Sequence, residues 1–161
     1  MGTLRRIWSF RYLVADDSLP QRKLAVRTLR TFGAKFVSDV GSGADVLSAV
    51  LERSPDVILL DWFMTDMNGD VVFRSLSSID LAPRPAIIVM TALPTAAMVA
   101  MARDLGAVTV IRKPFAPDVL LRSIARVAET VPSVEVEGAR HKLMPTGQGD
   151  GALRPMPPES S

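Results

Sequence analysis

Five polar residues in this chain stand where short apolar runs stop. Asp16 and Asp17 follow the run from Phe10 to Ala15, Asp61 follows Val57 to Leu60, Thr91 follows Ala86 to Met90, and Lys113 follows Ala107 to Arg112. Two carboxylates about 4 Å apart repel by roughly 4 kcal/mol at an effective dielectric of about 20. Three brought together in ionised form therefore need a cation. All-oxygen ligation with few carboxylates suits Mg²⁺, which keeps several waters and leaves positions for phosphate oxygens. Beside such an ion Asp61 can act as a nucleophile on phosphorus and form an aspartyl phosphate. Lys113 is a point charge and the Thr91 hydroxyl a rotatable donor, so both can share the charge on phosphoryl oxygens. Taken singly, each is also an ordinary loop residue, since Asp is common where a strand gives way to a loop.

Convergence requires neighbouring strands in one parallel sheet. The uninterrupted run Val57-Ile58-Leu59-Leu60, preceded by Pro55 and Asp56, fits a strand buried on both faces. Around it, strands are expected over 10–15, 35–40, 86–90 and 107–112. Helices are expected to begin at Ser18 and stop at Gly33, and to span 44–53, 70–79, 95–105 and 118–130. On these helices Leu24, Thr28, Leu29 and Phe32 recur at helical spacing, as do Val46, Leu47 and Val50, and later Leu120, Leu121, Ile124 and Val127. On the fourth helix Val99, Ala102 and Leu105 are expected inward, and Ala97, Met98 and Met101 outward. Alternating strands and helices imply an α/β, doubly wound, five-stranded parallel sheet with five helices. The flavodoxin-like order 2-1-3-4-5 puts the first and third strands side by side, as an acid cluster needs.

The 161 residues suffice for a single core, and 48% are hydrophobic. No apolar run is long enough to span a bilayer. Arg5 and Arg6 precede an apolar patch, but Arg11 interrupts it and Asp16-Asp17 follow, so a strand is expected there rather than a signal peptide, in a cytoplasmic protein. Without cysteine there is neither a disulfide nor a thiolate site. The formal charge of +2 gives little support to nucleic-acid binding. Residues 1–9 are read as an extension and 10–130 as the folded domain. The last 30 residues hold five of twelve prolines and four of ten glycines, so 131–161 are expected to be a disordered tail without a DNA-binding domain.

Over residues 10–130 the chain resembles the receiver domains of two-component response regulators. The resemblance rests on Asp16-Asp17, Asp61 in a segment ending Met67-Asn68-Gly69, Thr91-Ala92 and Lys113-Pro114-Phe115. It implies a signalling module, not an enzyme. Asp61 would accept phosphate from a histidine kinase or a histidine phosphotransfer protein. Asp17, Asp61 and the backbone carbonyl of Phe63 would hold Mg²⁺, with Asp16 acting mainly through water, and the Lys113-Pro114 bond would be cis. The signal would leave by protein contact, to an output protein or a second copy through the fourth helix.

Three positions depart from the family pattern. Val110 stands where an aromatic is usual, Thr65 replaces a common proline, and Phe63 is bulkier than many relatives carry. Val110 motivates the alternative of a receiver-like binding module that works without phosphorylation. A haloacid-dehalogenase-like phosphatase is a further alternative, but it wants a second Asp two residues after its nucleophile. Here those positions are Ser18 and Phe63. Trp62 is read as packing beside the acceptor. The basic face Arg22, Lys23, Arg27 and Arg30 is read as solvated, or else as a kinase-docking surface. His141 falls in the tail and is read as solvated.

Overall fold

The structure, a computed structural model, describes residues 7–130; the expected tail, with His141, lies outside the described residues. Strands β1 (Arg11–Ala15), β2 (Phe36–Val40), β3 (Val57–Asp61), β4 (Ala86–Thr91) and β5 (Thr109–Arg112) alternate with five helices. These are α1 (Leu19–Thr31), α2 (Gly43–Arg53), α3 (Gly69–Ser77), α4 (Ala96–Asp104) and α5 (Pro117–Thr130). All strand pairs are parallel and the order is β2-β1-β3-β4-β5, the flavodoxin-like arrangement expected. Among the described residues no helix is long and apolar enough to cross a membrane.

The two-residue period of β3 explains why its apolar run is continuous. Val57 and Leu59 enter the layer under α1 and α5, while Ile58 and Leu60 enter the layer under α2, α3 and α4. Both faces are covered, so no position of the strand is left for a polar side chain until Asp61. Helix starts follow local chemistry: Ser42 accepts from the Asp45 N–H and Thr95 from the Met98 N–H. Gly33 and Gly106, both at positive φ, end the chain's path out of α1 and α4.

Two helix faces differ from the sequence reading. On α1 the buried residues are Ala25, Val26 and Leu29, while Leu24 is 61% exposed and Thr28 and Phe32 are half-buried. Ala25, Val26 and Leu29 form one stripe that packs with Tyr12, Val14, Val57 and Leu59, and Leu24 falls to the side of it. On α4 Met98 is buried with Ala102, one turn apart, while Val99 and Leu105 are half-buried. The helix is rotated by about one residue from the expected facing. The long, flexible Met98 side chain fills the space that Val99 was expected to fill. Ala97 and Met101 do face outward, so the expected outward pair of methionines is reduced to Met101.

Residues 7–9, read from sequence as part of an extension, are helical, and Ile7 packs in the α1/α5 core. The buried Tyr12 hydroxyl donates to the Ile7 carbonyl at 2.8 Å, tying this turn to β1.

Candidate functional site

Parallel pairing brings the carboxyl ends of β1, β3, β4 and β5 to one edge of the sheet. Asp61 is the last residue of β3, 5% exposed, and Asp16, 1% exposed, follows β1. Together with the exposed Asp17 each offers a carboxylate oxygen, and these oxygens lie within 4.8 Å of one another. Lys113 crosses from the end of β5: its Nζ donates to Asp16 Oδ2 at 2.9 Å and lies 3.3 Å from Asp61 Oδ1. One lysine against three carboxylates leaves the cluster short of positive charge, and the donor set is all oxygen, as a hard divalent cation requires. The acids, Ser18, Gln21, Phe63, Ala92 and Lys113 line a cleft of about 220 Å³.

Each carboxylate is held differently. Asp16 takes the Ser18 N–H on Oδ1, and its backbone carbonyl accepts from Arg22 Nη1 at 2.7 Å. Asp61 takes the Phe63 N–H at 3.4 Å. Asp17 Oδ2 accepts from both the backbone N–H and the hydroxyl of Thr65. Burial pushes the Asp61 carboxyl up from its ordinary 3.8 to about 6. The Lys113 charge opposes that rise, the charge of Asp16 adds to it, and the Phe63 N–H opposes it.

The loop after Asp61 is clamped beneath and beside the cleft. Trp62, 4% exposed, donates its backbone N–H to the Met90 carbonyl, and its ring lies against Gly69, where an added Cβ would come within 2.6 Å of it. Gly69 is therefore required by close approach, and Trp62 is the packing residue expected. Asp66 reaches across to accept from the Gly43 and Ala44 N–H groups at the start of α2.

Asp16, Asp17, Asp61 and Lys113 are thus brought together, and Phe63 lines the cleft, half of its surface exposed. Thr91 stands further back. It is fully buried, its hydroxyl accepts from the Leu93 N–H, and its carbonyl accepts from the Lys113 N–H, while Ala92 reaches the cleft. The Lys113-Pro114 peptide is cis. Arg22 belongs to no solvated face: with Lys23 it pairs with Asp39, and it props the Asp16 backbone. The supporting roles of Arg22, Thr65 and Asp66 are absent from the sequence reading because their partners lie 6 to 48 residues away. The one local signal was Thr65 standing where proline is common.

Residues 12–125 match the model of the response regulator receiver domain. The chain belongs to that family. The chain is 32% identical over 114 residues to the chemotaxis protein CheY of Bacillus subtilis, covering 71% of this chain and 93% of that protein. It is 37% identical over 107 residues to protein-glutamate methylesterase/protein-glutamine glutaminase 5 of Myxococcus xanthus, covering 66% of this chain but 30% of that much longer protein. In three dimensions the receiver superposes on the chemotaxis protein CheY4 of Vibrio cholerae with a TM-score of 0.68 at 25% identity, covering 73% of this chain and 98% of the other.

Proposed function

We propose that this receiver domain takes a phosphoryl group on Asp61 from a histidine kinase or a histidine phosphotransfer protein and signals by protein contact, in the cytoplasm. The observation that carries the reading is Asp61 at the end of a buried strand, within 4.8 Å of two other carboxylates and 3.3 Å from Lys113. In the transfer, an Asp61 carboxylate oxygen bonds to phosphorus as the phosphorus–nitrogen bond of the donor phosphohistidine breaks. The bonding electrons leave with the imidazole.

Burial favours the neutral carboxyl, so Lys113 has to keep Asp61 ionised and later accompany the anionic product. Its hold on Asp16 fixes the ammonium between the two buried acids. Asp17, Asp61 and the Phe63 carbonyl are the candidates to hold Mg²⁺, with Asp16 through water; the ion when bound would neutralise charge on the phosphoryl oxygens. Phe63 lines the cleft and would limit water at the acyl phosphate. Thr91 is one peptide from the cleft and bonded to the loop before α4, so a turn of its hydroxyl toward the phosphoryl group would release Leu93. Output is assigned to the outward face of α4 with Ala97 and Met101, engaging an output protein or a second copy. Val110, half-buried, is too small for the aromatic swing common in relatives.

The test is labelling by acetyl phosphate with and without EDTA. One hydroxylamine-labile phosphoryl group, lost with the chelator, is expected. Labelling that ignores the chelator would refute the metal-dependent transfer.

A further inference from the structure

Thr65 is a residue to which no role follows from the transfer chemistry, yet it holds one of the three acids. Asp16 is locked by Lys113 and the Ser18 N–H, and Asp61 by its strand, Lys113 and the Phe63 N–H. Asp17 is on the exposed loop after β1, and among the described residues both hydrogen bonds to its carboxylate come from Thr65. The backbone N–H donates at 3.0 Å and the hydroxyl at 2.5 Å, both to Oδ2. Any residue except proline can give the first bond. Only a hydroxyl-bearing side chain of this length gives the second.

We propose that the Thr65 hydroxyl is a positioning device for Asp17 that sets the affinity of the acid cluster for a divalent cation. This rests on the reading of the cluster as a cation site. An exposed carboxylate on a loop samples several rotamers, and ordering it when the cation binds costs conformational entropy. With two donors on Oδ2, Asp17 is ordered beforehand, within reach of the Asp16 and Asp61 oxygens. Hydrogen bonds that orient a ligating carboxylate typically change metal affinity by roughly ten- to a hundredfold. Thr65 lies four residues after Asp61 on the same clamped loop, so it also ties the β1 side of the cleft to the acceptor side.

The test is a Mg²⁺ titration of the full chain, read by the fluorescence of Trp62 in a Trp8→Phe background and by the melting temperature with and without the ion. Thr65→Val keeps the shape and the N–H bond but lacks the hydroxyl; Thr65→Ser keeps both donors. Thr65→Val is expected to bind Mg²⁺ roughly tenfold more weakly. Thr65→Ser should stay close to the parent, and both should melt like the parent in EDTA, because the residue is exposed. The proposal is overturned if Thr65→Val binds as tightly as the parent, or if Thr65→Ser weakens binding as much as Thr65→Val. If parent and Asp17→Asn alike show no response to Mg²⁺, the cation-site reading itself fails and the role of Thr65 falls with it.

Discussion

Replacing Asp61 with Asn should stabilise the cation-free protein, and by a calculable amount. Asp61 is 5% exposed and its carboxyl is pushed up to about 6 from 3.8, chiefly by burial. Between those two values the folded chain holds a proton that the unfolded chain has released, so stability falls as pH rises through that window. Above about pH 6 the full penalty applies. At about 1.4 kcal/mol per pH unit it amounts to ~3 kcal/mol at neutrality. Asn carries no charge and can still accept from the Phe63 N–H, while Lys113 keeps Asp16. In a domain of this size the gain is a rise of roughly 10 °C in melting temperature. The assay is thermal and urea unfolding of both proteins in EDTA from pH 4 to pH 8. The gap between variant and parent should be widest above pH 6 and close toward pH 4. A variant no more stable than the parent at pH 7, or a gap constant across the range, would refute the assignment of the strain to a buried Asp61 charge.

Gly69→Ala should cost about 1–3 kcal/mol, since its Cβ would fall 2.6 Å from the Trp62 ring, and urea unfolding checks it. Burial alone would raise the Asp39 carboxyl, but hydrogen bonds and charges from Arg22 and Lys23 hold it below its ordinary value. Its contribution is therefore present above the ordinary carboxylate range and lost as pH falls through its lowered value. Arg22→Ala should remove the Arg22 share and leave that of Lys23, so urea unfolding at acid and neutral pH should show a shallower acid limb than in the parent. Met98→Glu should destabilise strongly, by roughly 3 kcal/mol or more, because it buries a charge in the core beneath α4, whereas Met101→Glu should leave the melting temperature within a few degrees.

What sequence reveals here is what local patterns carry. The run Val57 to Leu60 announces a two-sided strand, and the polar residues after each run mark the edge where Asp16, Asp17, Asp61 and Lys113 meet. Helix facing was less legible where apolar residues adjoin. Leu24, Ala25 and Val26 are consecutive, as are Met98 and Val99, and hydropathy alone does not choose among them. Packing against the sheet puts Ala25 and Val26 of α1 in one core layer and Met98 of α4 in the other. The packing of Ile7 was hidden because Arg5, Arg6 and Arg11 surround a run too short to show a period. Contacts such as Thr65 to Asp17, 48 residues apart, or Arg22 to Asp39, 17 apart, depend on which strands are neighbours and on side-chain reach.

The most direct measurement is to locate the phosphoryl group. The protein is labelled with acetyl phosphate and Mg²⁺, reduced with borohydride to convert the aspartyl phosphate to homoserine, digested, and sequenced by mass spectrometry. Conversion at Asp61, and none in Asp61→Asn, is the expected result. Conversion at Asp16, Asp17 or any residue outside the cleft, with Asp61 intact, would contradict the role assigned to Asp61.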